Sequence, residues 1–415
     1  MKNKIIILVV ISCFIKIFLA LTTYHSDVQV YFFAGEVLKS GNILGFYDYL
    51  WGLPSDAAIL SIYPRYLFNY PPLVYFVLGG ISTITTALIN SEVKQLFLFN
   101  TPAALGFIQT NLMLLALKLP YFIFDLGVGY LLYKFIDDKK QAFLALILWL
   151  FNPVNFYATY MLGQYEIIPV FLVMMALYIA KSNNRLYFAA FLLGLGAAFK
   201  IYPILFIFPL AFIKESVRDK IKLLLVGISG YIVTILPFIQ SPGFRKTALL
   251  AGQTTKSLYA AIEVSGGQSI YLYLSIIIFT LIVFFYTKNT TKGLWKSFFV
   301  LLLIFFIFTH YHPQWLLWLT PFLIIDLSFH PKRYVLVLLI LAAYIGSILF
   351  FDPGLSLRLF APIAPQLSDL PPIWELLSVG VNYNVARSLL HSAFVGVLGY
   401  YMYLYFPRKV PINKS

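Results

Sequence analysis

Long apolar runs recur along the whole chain, and they restrict its fold more than any other feature. The run Ile5–Leu21 already has about the length that crosses a bilayer. Of the 415 residues, 61% are hydrophobic and 11% are charged, whereas about a quarter of the residues in soluble domains are charged. The mean hydropathy is +0.85. The sequence therefore predicts an all-α polytopic membrane protein.

The apolar runs predict about twelve transmembrane helices with both termini in the cytoplasm. The predicted spans cover residues 5–21, 112–133, 141–157, 166–181, 186–199, 201–213, 221–239, 269–287, 297–310, 314–328, 334–351 and 387–405. We expect a single domain over residues 1–415. It consists of a first extracytoplasmic loop (22–110) that carries surface helices, central spans (112–239) and C-terminal spans (269–405).

The net charge is +14, and the distribution of the basic residues agrees with this topology. Nineteen of the 30 lysines and arginines fall in the short predicted inner segments, and seven fall in the three much longer outer loops. Cytoplasmic loops of membrane proteins carry such an excess of basic residues. The basic balance therefore indicates orientation and gives no evidence for a nucleic-acid partner. The single cysteine, Cys13, excludes an intrachain disulfide and a cysteine-based metal site.

The segment 71–89 is apolar and long enough to span, but a span there would move the basic stretch 134–140 outside. We therefore expect it to lie on the outer surface, and a re-entrant helix pair is the alternative. Between the predicted spans 186–199 and 201–213, Pro203 should break the helix because proline cannot donate a helical hydrogen bond. This break holds Lys200 at the outer surface.

Polar side chains collect at the predicted outer ends of the spans. Ionisable residues at membrane depth are costly and usually functional. The candidates are His25, Asp27, Gln164, Glu166, Lys200, Tyr202, His310, His312 and Gln314.

Each of these candidates also has a structural interpretation. Asp27 can be a solvated carboxylate at the start of a surface helix, with Ser26 as its N-cap. Lys200 can be a side chain that extends from a span end to water. Gln164 and Glu166 can cap the span that follows them.

Two further pairs of polar residues are close in sequence. His310 and His312 are two residues apart and therefore face opposite ways on a helix or strand, with no acidic residue nearby in sequence, so a neutral donor to phosphate or sugar is favoured over a metal site. Lys118 and Asp125 are seven residues apart on one predicted helix, and we expect them to pair with other helices.

Four stretches resemble the GT-C fold of multispanning glycosyltransferases that use polyprenyl-phosphate sugars. Together they run from residue 22 to about residue 321, and they look most like the first mannosyltransferase of GPI-anchor assembly and the dolichol-phosphate-glucose-dependent glucosyltransferases. The stretches are SDVQVYFFAGEVLKSG (26–41), FNYPPLVYF (68–76), Asn152-Pro153 with GQYE (163–166) and GLGAAFKIYP (194–203), and THYHPQWLLWLTP (309–321).

The resemblance implies a hexosyltransferase, favouring mannose, that acts by inverting displacement with Asp27 as the base. Lys200, His312 and Arg387 would bind the donor phosphate, and His25, Gln164, Glu166, Tyr202, His310 and Gln314 would bind sugar or acceptor. The partners implied are a polyprenyl-phosphate-linked sugar, a glycan or glycolipid acceptor and membrane lipid. No cofactor is expected. Many relatives carry a second acid where this chain has Gln29, so the motif does not indicate a divalent metal.

Two other classes stay open at this point. A lipid-linked glycan polymerase or ligase would share the membrane and the lipid, but it should carry essential Arg or His in a large outer loop. A secondary transporter would need polar sites near mid-membrane, whereas the polar residues here gather at the outer ends. The short inner loops suit the plasma (inner) membrane of a prokaryote, with the site on the extracytoplasmic face.

Overall fold

The computed structural model of the protein describes residues 2–65, 68–183, 185–249, 252–287, 289–378, 380 and 382–407. These residues are mainly helical, as predicted, with one antiparallel hairpin formed by β1 (Ala261–Ser265) and β2 (Gln268–Tyr271). The α-helices of the described chain are α1 (Lys2–Thr22), α2 (Asp27–Leu38), α3 (Phe46–Trp51), α4 (Ala58–Ile62), α5 (Gly79–Thr85), α6 (Ser91–Phe99), α7 (Thr101–Ala104), α8 (Ile108–Lys118), α9 (Tyr121–Phe135), α10 (Lys139–Leu150), α11 (Pro153–Asn155), α12 (Ile167–Asn183), α13 (Leu186–Ala197), α14 (Ile207–Ala211), α15 (Val217–Ile235), α16 (Pro242–Phe244), α17 (Leu272–Tyr286), α18 (Leu294–Phe308), α19 (Thr320–Phe329), α20 (Tyr334–Leu349), α21 (Ile373–Leu376) and α22 (Tyr383–Tyr405).

Tighter and wider helical turns connect these elements. The π-helical turns are Val74–Leu78, Phe156–Met161 and Arg245–Leu249. The 3-10 turns are Tyr202–Phe206, Leu236–Phe238, Gly252–Leu258, Pro313–Trp318, Pro331–Arg333, Pro353–Leu355, Leu357–Phe360 and Pro365–Asp369.

Helices occur at all twelve predicted spans, but their lengths differ. Among the described residues, four helical segments are long and apolar enough to cross a membrane: Asn3–Thr22, Lys139–Met161, Val217–Phe238 and Pro331–Leu349. The bent pair α8 and α9 makes a fifth, and the other apolar helices reach at most 17 residues. The protein is therefore an integral membrane protein with several spans. The number twelve and the cytoplasmic position of the termini stay predictions, and residues 1 and 408–415 lie outside the described residues.

One predicted helix is broken where Lys118 and Asp125 were expected to share it. The chain bends by 43° between α8 and α9, because Pro120 lacks the N–H that would continue the helical hydrogen bonds. The expectation of one continuous helix is therefore wrong. Both side chains are nevertheless fully buried and contact other helices, as predicted.

A buried ion pair ties α1 to this bent span. Lys16 Nζ lies 2.6 Å from Asp125 Oδ2, and both side chains are fully buried. The same carboxylate accepts hydrogen bonds from Trp149 Nε1 (2.8 Å), Asn155 Nδ2 (2.8 Å) and the Tyr160 hydroxyl (2.6 Å). A buried charge of this kind persists only when it is paired and hydrogen-bonded. The network therefore explains two charged residues inside the bundle without a catalytic role.

Glycines set the closest helix contact in the centre of the bundle. A Cβ atom on Gly194 of α13 would lie 1.8 Å from the Gly227 carbonyl oxygen of α15. Small residues allow the backbones of membrane helices to approach in this way. The close contact fixes the C-terminal end of α13, after which the chain turns at Lys200.

The first loop is a packed layer of short helices. Helices α2, α3, α4, α6 and α7 share a hydrophobic cluster that includes Phe32, Phe46, Phe97 and, from the segment after the central spans, Phe244. The apolar stretch within 71–89 forms a helical segment over Val74–Thr85. Twelve helical residues are about 18 Å long, which is shorter than the hydrocarbon core of about 30 Å. Whether this segment lies on the surface or re-enters the membrane stays a prediction.

Candidate active site

Asp27 is the first residue of α2, and its carboxylate is held by side chains from two distant parts of the chain. Oδ1 accepts a hydrogen bond from the Tyr63 hydroxyl at 3.2 Å, and Oδ2 accepts one from Gln164 Nε2. His25 Nδ1 lies 3.5 Å from Oδ2. The side chain is 15% exposed, and Ser26 makes no side-chain capping bond. Asp27 is thus a fixed and accessible carboxylate, which is the arrangement that a general base needs.

Tyr63 was not among the residues predicted from the sequence. Burial, and after it the neighbouring Tyr70 and the charge of Asp27, raise the pKa of Tyr63 well above its usual value. The hydroxyl therefore keeps its proton and donates to the carboxylate. The pattern of the sequence gave no signal for Tyr63, because its 36-residue separation from Asp27 is closed only by the folding of the first loop.

Gln29, which stands where many relatives carry a second acid, does not face this site. Its amide is fully buried and bonds to the Tyr24 hydroxyl, the Phe97 carbonyl and the Thr101 hydroxyl. It therefore fastens α2 to α6 and α7. Within the described part of the chain, no group of three or more His, Cys, Asp or Glu side chains is placed to hold a metal ion. Gln29 therefore does not stand beside Asp27 as a second ligand.

Lys200 lies in the turn that follows α13, and it forms an ion pair with Glu166. The two charged atoms, Lys200 Nζ and Glu166 Oε1, are 3.0 Å apart. Glu166 is fully buried, whereas 20% of the Lys200 side chain is exposed. The other carboxylate oxygen of Glu166 accepts a hydrogen bond from Trp318 Nε1 at 2.6 Å. Glu166 therefore holds the lysine in place and is not free to act as a second catalytic acid.

Aromatic rings surround the Lys200 ammonium. It lies 5.4 Å from the ring centre of Tyr165 and 4.9 Å from that of Trp315. Trp315 stacks on Trp318, and Trp318 stacks on Tyr202 with ring centres 4.3 Å apart. A cation over aromatic faces gains electrostatic stabilisation, more so where water is excluded. This stack fixes the direction from which an anion can reach Lys200.

Lys256 is a second cation of the site, and the sequence prediction did not include it. Its Nζ atom lies 2.8 Å from His312 Nε2. Because an ammonium can only donate, Nε2 must accept and the His312 proton must lie on Nδ1. Burial, and after it the positive charges of Lys256 and Lys200, lower the pKa of His312 to about 3. His312 is therefore neutral at physiological pH and is available as a hydrogen-bond donor.

Among the described residues, Glu166 is the carboxylate that pairs with the basic half of the site. The ion pairs found among the described residues do not include Lys256. Burial and the charge of Lys200 lower the pKa of Lys256. Burial and the charges of Lys256 and Arg387 lower that of His310. A cluster of this kind favours an incoming anion such as a phosphate group.

The structure places the predicted residues in two adjoining groups. His25, Asp27 and Gln164 form the acidic half, and the charge of His25 also helps to lower the pKa of His312, so the two halves are neighbours. Gln314 is buried with an Oε1 atom that has no partner among the described residues. Arg387 lies 4.2 Å from the ring centre of Phe351 and within electrostatic reach of His310. The basic half holds Glu166, Lys200, Tyr202, His310 and His312. The structure adds Tyr63 to the acidic half, and it adds Lys256, Trp315 and Trp318 to the basic half.

One signal could have identified Lys256 from the sequence. The predicted outer loops carry few basic residues, and a lysine there opposes the orientation bias. Lys200, at the predicted outer end of a span, opposes this bias, and so does Lys256.

Two apolar cavities lie beside α20, the first between α20 and α10 and the second between α20, the π-helical turn 156–161 and the segment 355–360. Their volumes are about 190 and 280 Å³, and Pro153 and Leu341 line both. The larger cavity extends to Leu359, whose carbonyl oxygen accepts a hydrogen bond from the Tyr24 amide at 2.8 Å. The cavities therefore end beside the segment that carries His25 and Asp27.

The sequence of the chain matches a family of known proteins. The model of glycosyltransferase family 87 matches residues 68–307, which is more than half of the chain. This range includes Gln164, Glu166, Lys200 and Lys256.

One relative also matches. GPI mannosyltransferase 1 of Kluyveromyces lactis is 32% identical over 127 residues, which cover 29% of this chain and 31% of that protein. The match thus spans less than a third of the relative's length. No solved structure matches the chain.

Proposed function

The chain belongs to glycosyltransferase family 87 and is an integral-membrane glycosyltransferase, and from this premise we propose that it moves a hexose from a polyprenyl-phosphate donor to a glycan or glycolipid acceptor. We propose mannose as the hexose, because the relative with 32% identity is a mannosyltransferase. The observation that carries the proposal is the arrangement of the site. A held, accessible carboxylate adjoins a basic cluster in which, among the described residues, Lys200 is paired with Glu166 and Lys256 is in no ion pair, at the end of an apolar cavity.

The reaction is a single displacement. Asp27 accepts the proton of an acceptor hydroxyl while that oxygen bonds to the anomeric carbon of the donor sugar. The bond from the anomeric carbon to the phosphate oxygen breaks at the same time, and the polyprenyl monophosphate leaves with the bonding pair. Asp27 suits this step because Tyr63 and Gln164 fix both carboxylate oxygens. Positioned bases of this kind accelerate reactions by about 10²- to 10⁴-fold.

The configuration at the anomeric carbon should invert. A retaining mechanism needs a second carboxylate as nucleophile. Glu166 is the other acid among the candidate site residues, but Lys200 and Trp318 engage its two carboxylate oxygens. Asp27 is 15% exposed whereas Glu166 is fully buried, so only Asp27 of these two acids is accessible, and direct attack by the acceptor is the supported route.

Lys200, Lys256 and His312 bind the departing phosphate. Charge builds on the phosphate oxygens as the bond breaks, and fixed donors at that place stabilise the transition state. His312 contributes Nδ1–H as a neutral donor. Arg387 and His310 lie further along the same cluster. His25, Gln164, Glu166, Tyr202 and Gln314 are proposed to shape the sugar and acceptor side.

The apolar cavities beside α20 receive the polyprenyl tail. Their lining is apolar, with Ile340, Leu341 and Ile348 from α20, and their upper end adjoins the loop at Leu359. We further propose that the protein lies in a plasma (inner) membrane, with the site on the extracytoplasmic face. The excess of basic residues in the short predicted inner loops supports this orientation.

The test is a transfer assay with purified protein in lipid vesicles. Short-chain polyprenyl-phosphate mannose and glucose are offered with a panel of glycan and glycolipid acceptors, with and without EDTA. We expect transfer from one lipid donor, an inverted anomeric linkage in the product by NMR, and no effect of EDTA. Asp27→Asn should lower the rate by about 10²- to 10⁴-fold, and Asp56→Asn, an exposed acid of the same loop, should not.

Each contrary result removes a named part of the proposal. Near-native transfer by a folded Asp27→Asn variant removes the base assignment, and retained configuration removes the single displacement. Transfer of whole lipid-linked glycans would indicate a polymerase or ligase. Movement of the lipid donor across the bilayer without transfer would indicate a transporter.

A further inference from the structure

Lys118 is a buried cation at a place where three helices end. It is the last residue of α8 and is fully buried. Its Nζ atom donates to the Thr23 carbonyl at 2.6 Å, and it lies 3.3 Å from the Ala20 carbonyl oxygen and 3.4 Å from that of Met161. Ala20 belongs to the last turn of α1, and Met161 ends the π-helical turn 156–161. The ammonium therefore satisfies carbonyls that lack partners in their own helices.

These contacts hold the charge without a carboxylate. Lys118 takes part in none of the ion pairs found among the described residues, whereas Lys16, the other buried lysine, is paired with Asp125. The carbonyl end of a helix carries partial negative charge and stabilises a cation. Burying an unpaired ammonium is costly all the same, so the helix ends that surround it must be held firmly in one arrangement.

Two of these helix ends lead directly to the active site. Asp27 follows Thr23 by four residues, and Gln164 follows Met161 by three. Gly163 stands between Met161 and Gln164 with a φ of +68°, and a Cβ atom added there would lie 3.1 Å from Lys118 Cε. The Tyr121 hydroxyl donates to the Gly163 carbonyl at 3.1 Å. Lys118 thus supports both segments whose side chains meet in the Gln164–Asp27 hydrogen bond.

We infer that Lys118 is a positioning residue that sets the place of Asp27 relative to Gln164. It has no contact with the carboxylate among the described residues and acts through the two backbone segments. The inference rests on the proposed function, because it assigns Lys118 to the placement of the proposed base. Misplacing a catalytic group by about 1 Å costs on the order of 10²-fold in rate.

The test compares Lys118→Met, Lys118→Arg and Lys16→Met in the transfer assay. Lys118→Met should lower kcat about 10- to 100-fold and leave KM for the lipid donor unchanged, because the proposed phosphate-binding residues Lys200, Lys256 and His312 lie on other segments. Lys118→Arg keeps the charge and should recover part of kcat. Lys16→Met is the control, because it removes the other buried lysine and reports how such a loss affects the bundle in general. It should not reproduce the separation of kcat from KM.

A double variant shows through which residue Lys118 acts. In a Gln164→Leu background, Lys118→Met should lower kcat by less than twofold more, whereas Lys16→Met should keep its full effect. Thr23→Val removes one hydroxyl that lies 3.3 Å from Lys118 Nζ. Thr23→Val should lower kcat by a smaller factor, and it replaces Lys118→Met in the test if Lys118→Met does not accumulate in the membrane. Native kcat in folded Lys118→Met or Thr23→Val, or full additivity with Gln164→Leu, would overturn the inference. An active Asp27→Asn would instead overturn the proposed base.

Discussion

Glu166 and Lys200 form a 3.0 Å ion pair between the start of α12 and the turn after α13. The carboxylate is fully buried and also accepts a hydrogen bond from Trp318. One fifth of the Lys200 side chain stays exposed. The pair therefore anchors a cation without hiding it.

Replacing Lys200 should separate its role in stability from its role in catalysis. Lys200→Met leaves Glu166 buried and unpaired, which is destabilising, and removes a donor to the phosphate. We expect kcat/KM for the lipid donor to fall about 10²- to 10³-fold, together with the thermal midpoint. The double variant Lys200→Met, Glu166→Gln should recover the midpoint but not the activity. Recovery of both would remove Lys200 from the phosphate site.

Lys256 should matter for the donor and not for the fold. Its segment, Gly252–Leu258, lies in a loop predicted to be on the outer side, and its contact with His312 is between two side chains. Lys256→Met should raise KM for the lipid donor about tenfold, in line with one charge-assisted hydrogen bond of about 1.5 kcal/mol, with an unchanged thermal midpoint. Lys246→Met, in the preceding turn, is the matched control. A donor KM that does not change would show that Lys256 does not bind the phosphate.

The lowered pKa of His312 predicts how stability depends on pH. An unfolded histidine takes up its proton near pH 6.5, whereas folded His312 does so only near pH 3. Between these values the unfolded chain binds more protons, so the contribution of His312 to stability is lost as pH falls from about 6.5 to 3. His312→Gln stays neutral and should show a weaker fall of the thermal midpoint between pH 7 and pH 4. Equal slopes in the two proteins would contradict a buried, neutral His312.

Donor chain length should depend on the two cavities beside α20. Leu341 lines both of them, and Leu341→Trp fills the junction between them. We expect KM for a long-chain polyprenyl donor to rise about tenfold, since roughly two buried CH₂ groups are worth that factor, while KM for a short-chain donor stays unchanged. Leu338→Trp, at an exposed position of the same helix, is the control. Equal effects on both donors would place the tail elsewhere.

The proposed orientation can be checked with introduced cysteines, because Cys13 is the only native one. In a Cys13→Ser background, Ser55→Cys lies in the first loop and Glu215→Cys lies between α14 and α15, both exposed. A membrane-impermeant maleimide applied to intact cells should label the first and not the second. The reverse pattern would invert the topology and move the site to the cytoplasmic face.

The membrane class and the acidic half of the site could be predicted because their signals are local. Hydrophobic composition indicates spans, and the basic bias of the short loops indicates which span ends face outwards. Asp27, Gln164 and Lys200 all stand at such ends. Pro203 likewise predicts a local break, and the chain there forms the 3-10 turn Tyr202–Phe206.

The rest depends on contacts that no local pattern shows. Tyr63 reaches Asp27 through the packing of the first loop, and Lys256 reaches His312 across 56 residues. The bend between α8 and α9 had a local signal in Pro120, yet proline is tolerated in many membrane helices when neighbours satisfy the freed groups. Sequence reasoning therefore kept a straight helix where the structure has two.

Gln164 and Glu166 are separated by one residue, and each serves a different half of the site. Gln164 bonds to the Asp27 carboxylate and Glu166 pairs with Lys200. A single stretch of three residues therefore sets the spacing between Asp27, the proposed base, and Lys200, the proposed phosphate-binding residue. Covalent bonds, which do not stretch when neighbouring spans shift in a fluid bilayer, set that spacing. The segment that carries Asp27 and the turn that carries Lys200 are therefore both referenced to one short piece of backbone.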